Sequence, residues 1–133
     1  MQNLVLNFGH IPSEQSTAFL KEKFGENFLY VHQRLRIDFS APMERQIVAT
    51  VDAVERQLDG KALLERCAVY ILTPGLTDPS ILLVIELFGR TGAFPNLLLV
   101  RREDGDFTVY DVIDGEKFKL RARGRRKEVS TLV

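Results

Sequence analysis

The sequence predicts an α/β domain: a three-layer sandwich whose mostly parallel sheet carries an antiparallel hairpin at one edge. Three observations lead there. Short apolar runs rich in β-branched and aromatic residues alternate with segments of helical periodicity. Cys67–Arg102 contains a complete strand–helix–strand crossover with short connections, a unit that makes right-handed parallel sheets. Asp104-Gly105 separates two strand-like runs and is a strong hairpin signal.

Asn3–Phe8 reads as the first strand, ended by Gly9-His10-Ile11-Pro12. Ser13 suits an N-cap, and Ser16, Phe19, Leu20 and Phe24 begin an amphipathic helix that stops at Gly25. Asn27–Phe39 is extended in character. Leu29, Val31, Gln33, Leu35 and Ile37 alternate with Tyr30, His32, Arg34, Arg36 and Asp38, as in a half-exposed strand. Ser40-Ala41-Pro42 turns into a helix over Met43–Leu58, whose Ile47, Val51, Val54 and Leu58 make one apolar face. Asp59-Gly60 ends it, and Lys61–Arg66 is either a short helical turn or the approach to the next strand.

Cys67–Leu72 is a buried strand broken by Pro74-Gly75. Thr77 or Asp78 caps the following helix, with Pro79 in its first turn. Ile81–Phe88 is apolar nearly all round except for Glu86, which places this helix in the core. Gly89 and Gly92, around Arg90, stop it, and Pro95 precedes a strand over Asn96–Val100. Phe107–Val112 pairs antiparallel with that strand, and Asp114-Gly115 ends it. The order βαβαβαββ, closed by a basic helix or tail over 116–133, belongs to the broad Rossmann-like class, in one domain spanning 1–133.

The chain has 133 residues, 45% apolar and 27% charged, ordinary values for a globular domain. No apolar run approaches the roughly 20 residues of a membrane span. The start, MQNLVLNFGH, lacks the basic stretch and cleavage site of a secretory signal, so a cytoplasmic location is expected. With a single cysteine, neither an internal disulfide nor a paired-cysteine zinc site is available, and Cys67 reads as a small buried hydrophobe. Net charge is zero, which argues against long nucleic acid as a partner. The cations crowd the C-terminus: Lys117, Lys119, Arg121, Arg123, Arg125, Arg126 and Lys127 have only Glu116 and Glu128 beside them. That segment reads as a solvated helix face or tail, or as a local phosphate patch.

Several familiar chemistries are absent. No GxGxxG follows the first strand, no Walker lysine loop occurs, and Gly89-Arg90-Thr91-Gly92 closes a helix where a dinucleotide loop would open one. No triad or GxSxG arrangement is visible, and two histidines make no metal site without carboxylates. Neither a cofactor nor a metal is expected. In open parallel sheets ligands bind outside the carboxyl ends of the strands. Asn7, Gly9 and His10 leave the first strand at that edge, and Asp38 with Ser40 leave the second. Thr73, Pro74, Gly75 and Thr77 leave the third, and Arg101 with Arg102 leave the fourth. The third group joins a glycine turn to a helix N-terminus, which favours an anion. His10 is either a capping or surface histidine, or a phosphate contact or general base near its natural pKa. Arg90 and its glycines fall at the opposite edge, suited to a helix end or a subunit contact.

Two stretches carry a resemblance. LNFGHIPSEQ is similar to the opening of small stand-alone proteins associated with type III CRISPR loci. ILTPGLTDPSILLVIELFGRTGAFPNLLLVRR resembles the Leu-Pro-Gly turn, apolar helix and Gly-Arg-x-Gly-x-Phe-Pro signature of one such family, with Thr73 where a leucine is common. The basic C-terminal extension is a second departure. The resemblance implies a minimal relative of the CARF (CRISPR-associated Rossmann-fold) sensor domain, and a cyclic oligoadenylate ligand, most often the tetra-adenylate. A symmetric homodimer would present Asn7, His10, Gly75 and Thr77 twice to such a ring, with Arg101 or Arg102 on its phosphates. The function expected is sequestration of the messenger, which damps antiviral signalling. The alternative is a metal-independent ring nuclease: a ribose 2′-OH attacks the neighbouring phosphate and leaves a 2′,3′-cyclic phosphate, with His10 as the catalytic candidate. A further alternative is a scaffold that binds another protein through the Arg90 edge. Phe88, Phe94 and Leu97 near that edge also suggest assembly beyond the dimer on ligand binding.

Overall fold

The computed structural model describes residues 2–10, 12–58 and 63–127. Ile11, the Asp59-Gly60 helix stop, the start of the Lys61–Arg66 segment and the basic segment beyond Lys127 lie outside the described residues.

Ten elements follow one another: β1 (Gln2–Asn7), α1 (Glu14–Phe24), β2 (Phe28–His32), α2 (Met43–Gln57), α3 (Leu63–Arg66), β3 (Cys67–Leu72), α4 (Thr77–Thr91), β4 (Asn96–Glu103), β5 (Asp106–Ile113) and α5 (Gly115–Gly124). The five strands form one sheet in the order β2-β1-β3-β4-β5. Its first four strands are parallel and β5 is antiparallel to β4, a Rossmann-like α/β arrangement.

Alternation along β1 divides the core. Leu4 and Leu6 point to one face with Ile47, Val51 and Val54 of α2 and Leu83 and Leu87 of α4. Val5 points to the other, where Leu20 of α1 packs with Leu72, Leu98 and Val109. Cys67 belongs to the first cluster, and burial pushes its thiol above the ordinary range. Ser13 caps α1 as expected, its hydroxyl accepting from Ser16 N (3.1 Å).

The second strand is shorter than Asn27–Phe39. It ends at His32, because β1, its only partner, ends at Asn7. Two more bonds, Gln33 N to Asn7 O and Leu35 N to Phe8 O, guide the chain off the sheet. Asp38 and Ser40 consequently belong to the turn before α2. The Ser40 hydroxyl and N–H both donate to Asp38 Oδ1 and hold that carboxyl below its ordinary range.

Helix α4 departs from expectation in three ways. It starts at Thr77 after an extended Leu76, with no side-chain cap from Thr77 or Asp78. It runs through Gly89 and Arg90 and stops only at Gly92, whose φ of 80° is left-handed. It is also not buried all round: Leu83 and Leu87 face the core, whereas Ile81 and Ile85 are 54% and 59% exposed. Arg90 reaches across to α2, pairing with Asp52 (2.9 Å) and Glu55 (3.3 Å) besides Glu86 of its own helix (2.6 Å). Burial works against the guanidinium's charge, but its hydrogen bonds to Glu86, Asp52 and Glu55 outweigh this and raise its pKa.

The hairpin forms as expected, with Asp104 and Gly105 at φ 50° and 83°, both positive as its two-residue turn demands. Only Tyr70↔Asn96 and Ile71↔Leu97 pair β3 with β4. The rest of β4, with its β5 partner, therefore projects beyond the sheet as an arm of roughly 15 Å. The register shifts between Leu99 and Val100, where β5 carries an extra residue, Tyr110. Ser16 of α1 fastens the arm here, accepting from Val109 N (2.9 Å) and donating to Phe107 O (3.3 Å).

Candidate ligand site

A cavity of about 640 Å³ opens at the carboxyl edge of the sheet, within the roughly 300–1,000 Å³ usual for small-molecule sites. Its floor is the end of β1 (Asn7, Gly9, His10) and the turn after β3 (Leu72 to Leu76). The projecting arm forms a wall, with Leu97–Val100 from β4 and Phe107 and Val109 from β5. Pro12 and Ser16 at the start of α1 close the remaining side.

The floor is held in place from below. Asn7 is 1% exposed, and its side chain is fully engaged. The amide nitrogen donates to His10 O (2.7 Å) and to the Tyr30 hydroxyl (3.0 Å), while Oδ1 accepts from Gly9 N (2.9 Å). From β2, His32 Nε2 donates to Gly9 O (2.8 Å). Gly9 passes so close to the other loop that a Cβ there would lie 2.9 Å from Thr73 O. Glycine is required here for that approach, which brings the two strand-end loops together. Gly75, with φ 81°, then turns the chain toward α4.

Asn7, Gly9, His10, Thr73, Pro74 and Gly75, all expected from sequence, line this one cavity. Thr77 opens α4 but is not among the lining residues. Arg101 and Arg102 sit on the arm outside the lining. Arg101 pairs with Glu103 and lies 5.0 Å from the Tyr110 ring centroid, and Arg102 lies 5.9 Å from that of Phe107. His10 stacks on Phe107, its ring 5.8 Å away and within 8° of parallel.

Tyr30, His32, Ser16 and Phe107 were not foreseen as site residues. The first three act through hydrogen bonds between elements distant in sequence. Phe107 had a local signal, an aromatic two residues after the hairpin turn, but its place at the cavity depends on how far the arm overhangs β3.

Among the described lining residues His10 is the single titratable side chain. Among the described residues no group of three or more His, Cys, Asp or Glu could hold a metal ion, and no helix is long and apolar enough to cross a membrane. No family model, curated protein or solved structure matches the chain.

Proposed function

We propose that the protein binds a cyclic oligoadenylate, above all cyclic tetra-adenylate, as a homodimer and lowers this messenger by sequestration, damping type III CRISPR signalling. The observation that carries the reading is the strand-end cavity, floored by two braced loops and holding one titratable side chain. It lies outside the carboxyl ends of the strands, where open parallel sheets take ligands. The Thr73–Leu76 turn, followed by the N-terminus of α4, suits phosphates without a strong net charge. The tetra-adenylate is larger than a mononucleotide and has two-fold symmetry, so it matches a pair of cavities better than one.

A surface for the second copy is at hand. Ile81 and Ile85 recur at helical spacing on the open face of α4, and Leu76, also exposed, continues the apolar surface into the cavity lining. A two-fold contact along this stripe would bring the two cavities side by side. Dimers would then join through the Phe88–Phe94 corner, whose rings stack at 4.4 Å, when ligand is bound.

Ring cleavage is the second reading, favoured by His10 at the cavity. It would take the proton from a ribose 2′-OH as that oxygen attacks the adjacent phosphorus. The 5′-oxygen would leave, taking its proton from solvent water, and the phosphate would remain as a 2′,3′-cyclic phosphate. No carboxylate hydrogen-bonds to His10 among the described residues, and no other lining side chain could serve as the acid, so binding is the better supported. Incubation with radiolabelled cyclic tetra-adenylate separates them: a retarded complex with an intact ring supports sequestration, and linear product supports cleavage.

A further inference from the structure

We infer that Phe107, on the arm wall of the cavity, is the stacking platform for a purine base, with Arg102 beside it for the adjoining phosphate. This rests on reading the cavity as a nucleotide site, and names the residues that would recognise the base. Phe107 is 51% exposed although it lines a cavity, so much of its ring meets solvent. Its position is nevertheless fixed. It pairs with Arg102 across the hairpin, and its carbonyl accepts from Ser16 Oγ. An aromatic side chain held on a rigid element with open surface suits stacking, because little freedom remains to be lost on binding.

The neighbours fit the same role. The His10 ring is nearly parallel to Phe107 at 5.8 Å, less than the about 7 Å (two carbon contact distances) that a base inserted between them would need. A base therefore stacks outside the pair, on the Phe107 face turned away from His10. Arg102, 5.9 Å from the Phe107 centroid, puts a cation next to the stacked base. Among the described residues the arm's ion pair engages Arg101 with Glu103, leaving Arg102 for an incoming phosphate.

The chain contains no tryptophan, so Phe107→Trp provides a sole indole reporter. Titration of that variant with cyclic tetra-adenylate should quench the indole emission along the same isotherm as calorimetry on the wild type. Phe107→Leu, which keeps apolar bulk but removes the ring, should bind roughly 5- to 100-fold more weakly at unchanged melting temperature. Calorimetric binding by Phe107→Trp with unaltered emission, or Phe107→Leu affinity within two-fold of wild type, would overturn the platform and leave the ligand assignment standing. If the wild type fails to bind cyclic tetra-adenylate, the ligand assignment falls instead. Adenosine monophosphate then tests the platform alone: quenching retains it and unchanged emission removes it.

Discussion

At the scale of single residues, Asn7 and Gly9 bring about the site. Asn7 spends its amide on the loop that it turns, so its contribution to binding is the shape of the floor. Replacing Asn7 by Ala leaves Gly9 N and the Tyr30 hydroxyl without their partner and should cost about 1–3 kcal/mol in urea unfolding. Ligand affinity should fall with it. Gly9→Ala places a methyl against Thr73 O, so the two loops must part; binding should weaken more than stability, as calorimetry and urea unfolding on the same variant would reveal. The location of these residues was legible in the sequence, since polar groups after an apolar strand mark its carboxyl end. The job of Asn7 was not fully legible, because its amide also donates to Tyr30 on a neighbouring strand.

Among the elements, the arm, α4 and α5 each show a different relation between pattern and structure. The hairpin could be read because Asp104-Gly105 acts locally. Its overhang could not, being a matter of where β3 stops pairing. The apolar run in α4 predicts burial, but hydropathy does not distinguish a core face from one left open to solvent, and Ile81 and Ile85 belong to the latter. Arg90 is the tie between α2 and α4. Arg90→Leu leaves Asp52, Glu55 and Glu86 facing one another and should destabilise the fold by about 1–2 kcal/mol in urea unfolding, since the cluster is partly exposed.

Helix α5 buries none of its residues and is held at its start. There the Glu116 carboxylate accepts from Lys119 and from Phe94 N (2.8 Å), and these bonds hold it below its ordinary value, about 4.5. Ionised Glu116 thus favours the docked helix above that value, and the contribution is lost as pH falls through the lowered one. The Phe94 amide resonance should shift in acid in the wild type, and Glu116→Gln should abolish that shift.

For the whole molecule, the α4 stripe and the cavity predict a two-fold assembly. Ile85→Glu should convert a sedimenting dimer into a monomer and weaken binding of the tetra-adenylate while the monomer's circular dichroism stays unchanged. Light scattering should then show growth beyond the dimer when ligand is added to the wild type; an unchanged dimer would count against the Phe88–Phe94 contact. The sandwich itself was readable from strand–helix alternation, because each crossover is local and its handedness is general. What the cavity holds is not written in that alternation, since the fold offers the same strand-end opening to many ligands. The central claim is binding without turnover, and electrophoresis of radiolabelled cyclic tetra-adenylate with the protein, followed by chromatography of the released ligand, tests it most directly. A retarded complex from which the intact ring is recovered is expected; linear product would contradict sequestration, and absence of any complex would contradict the ligand assignment as well.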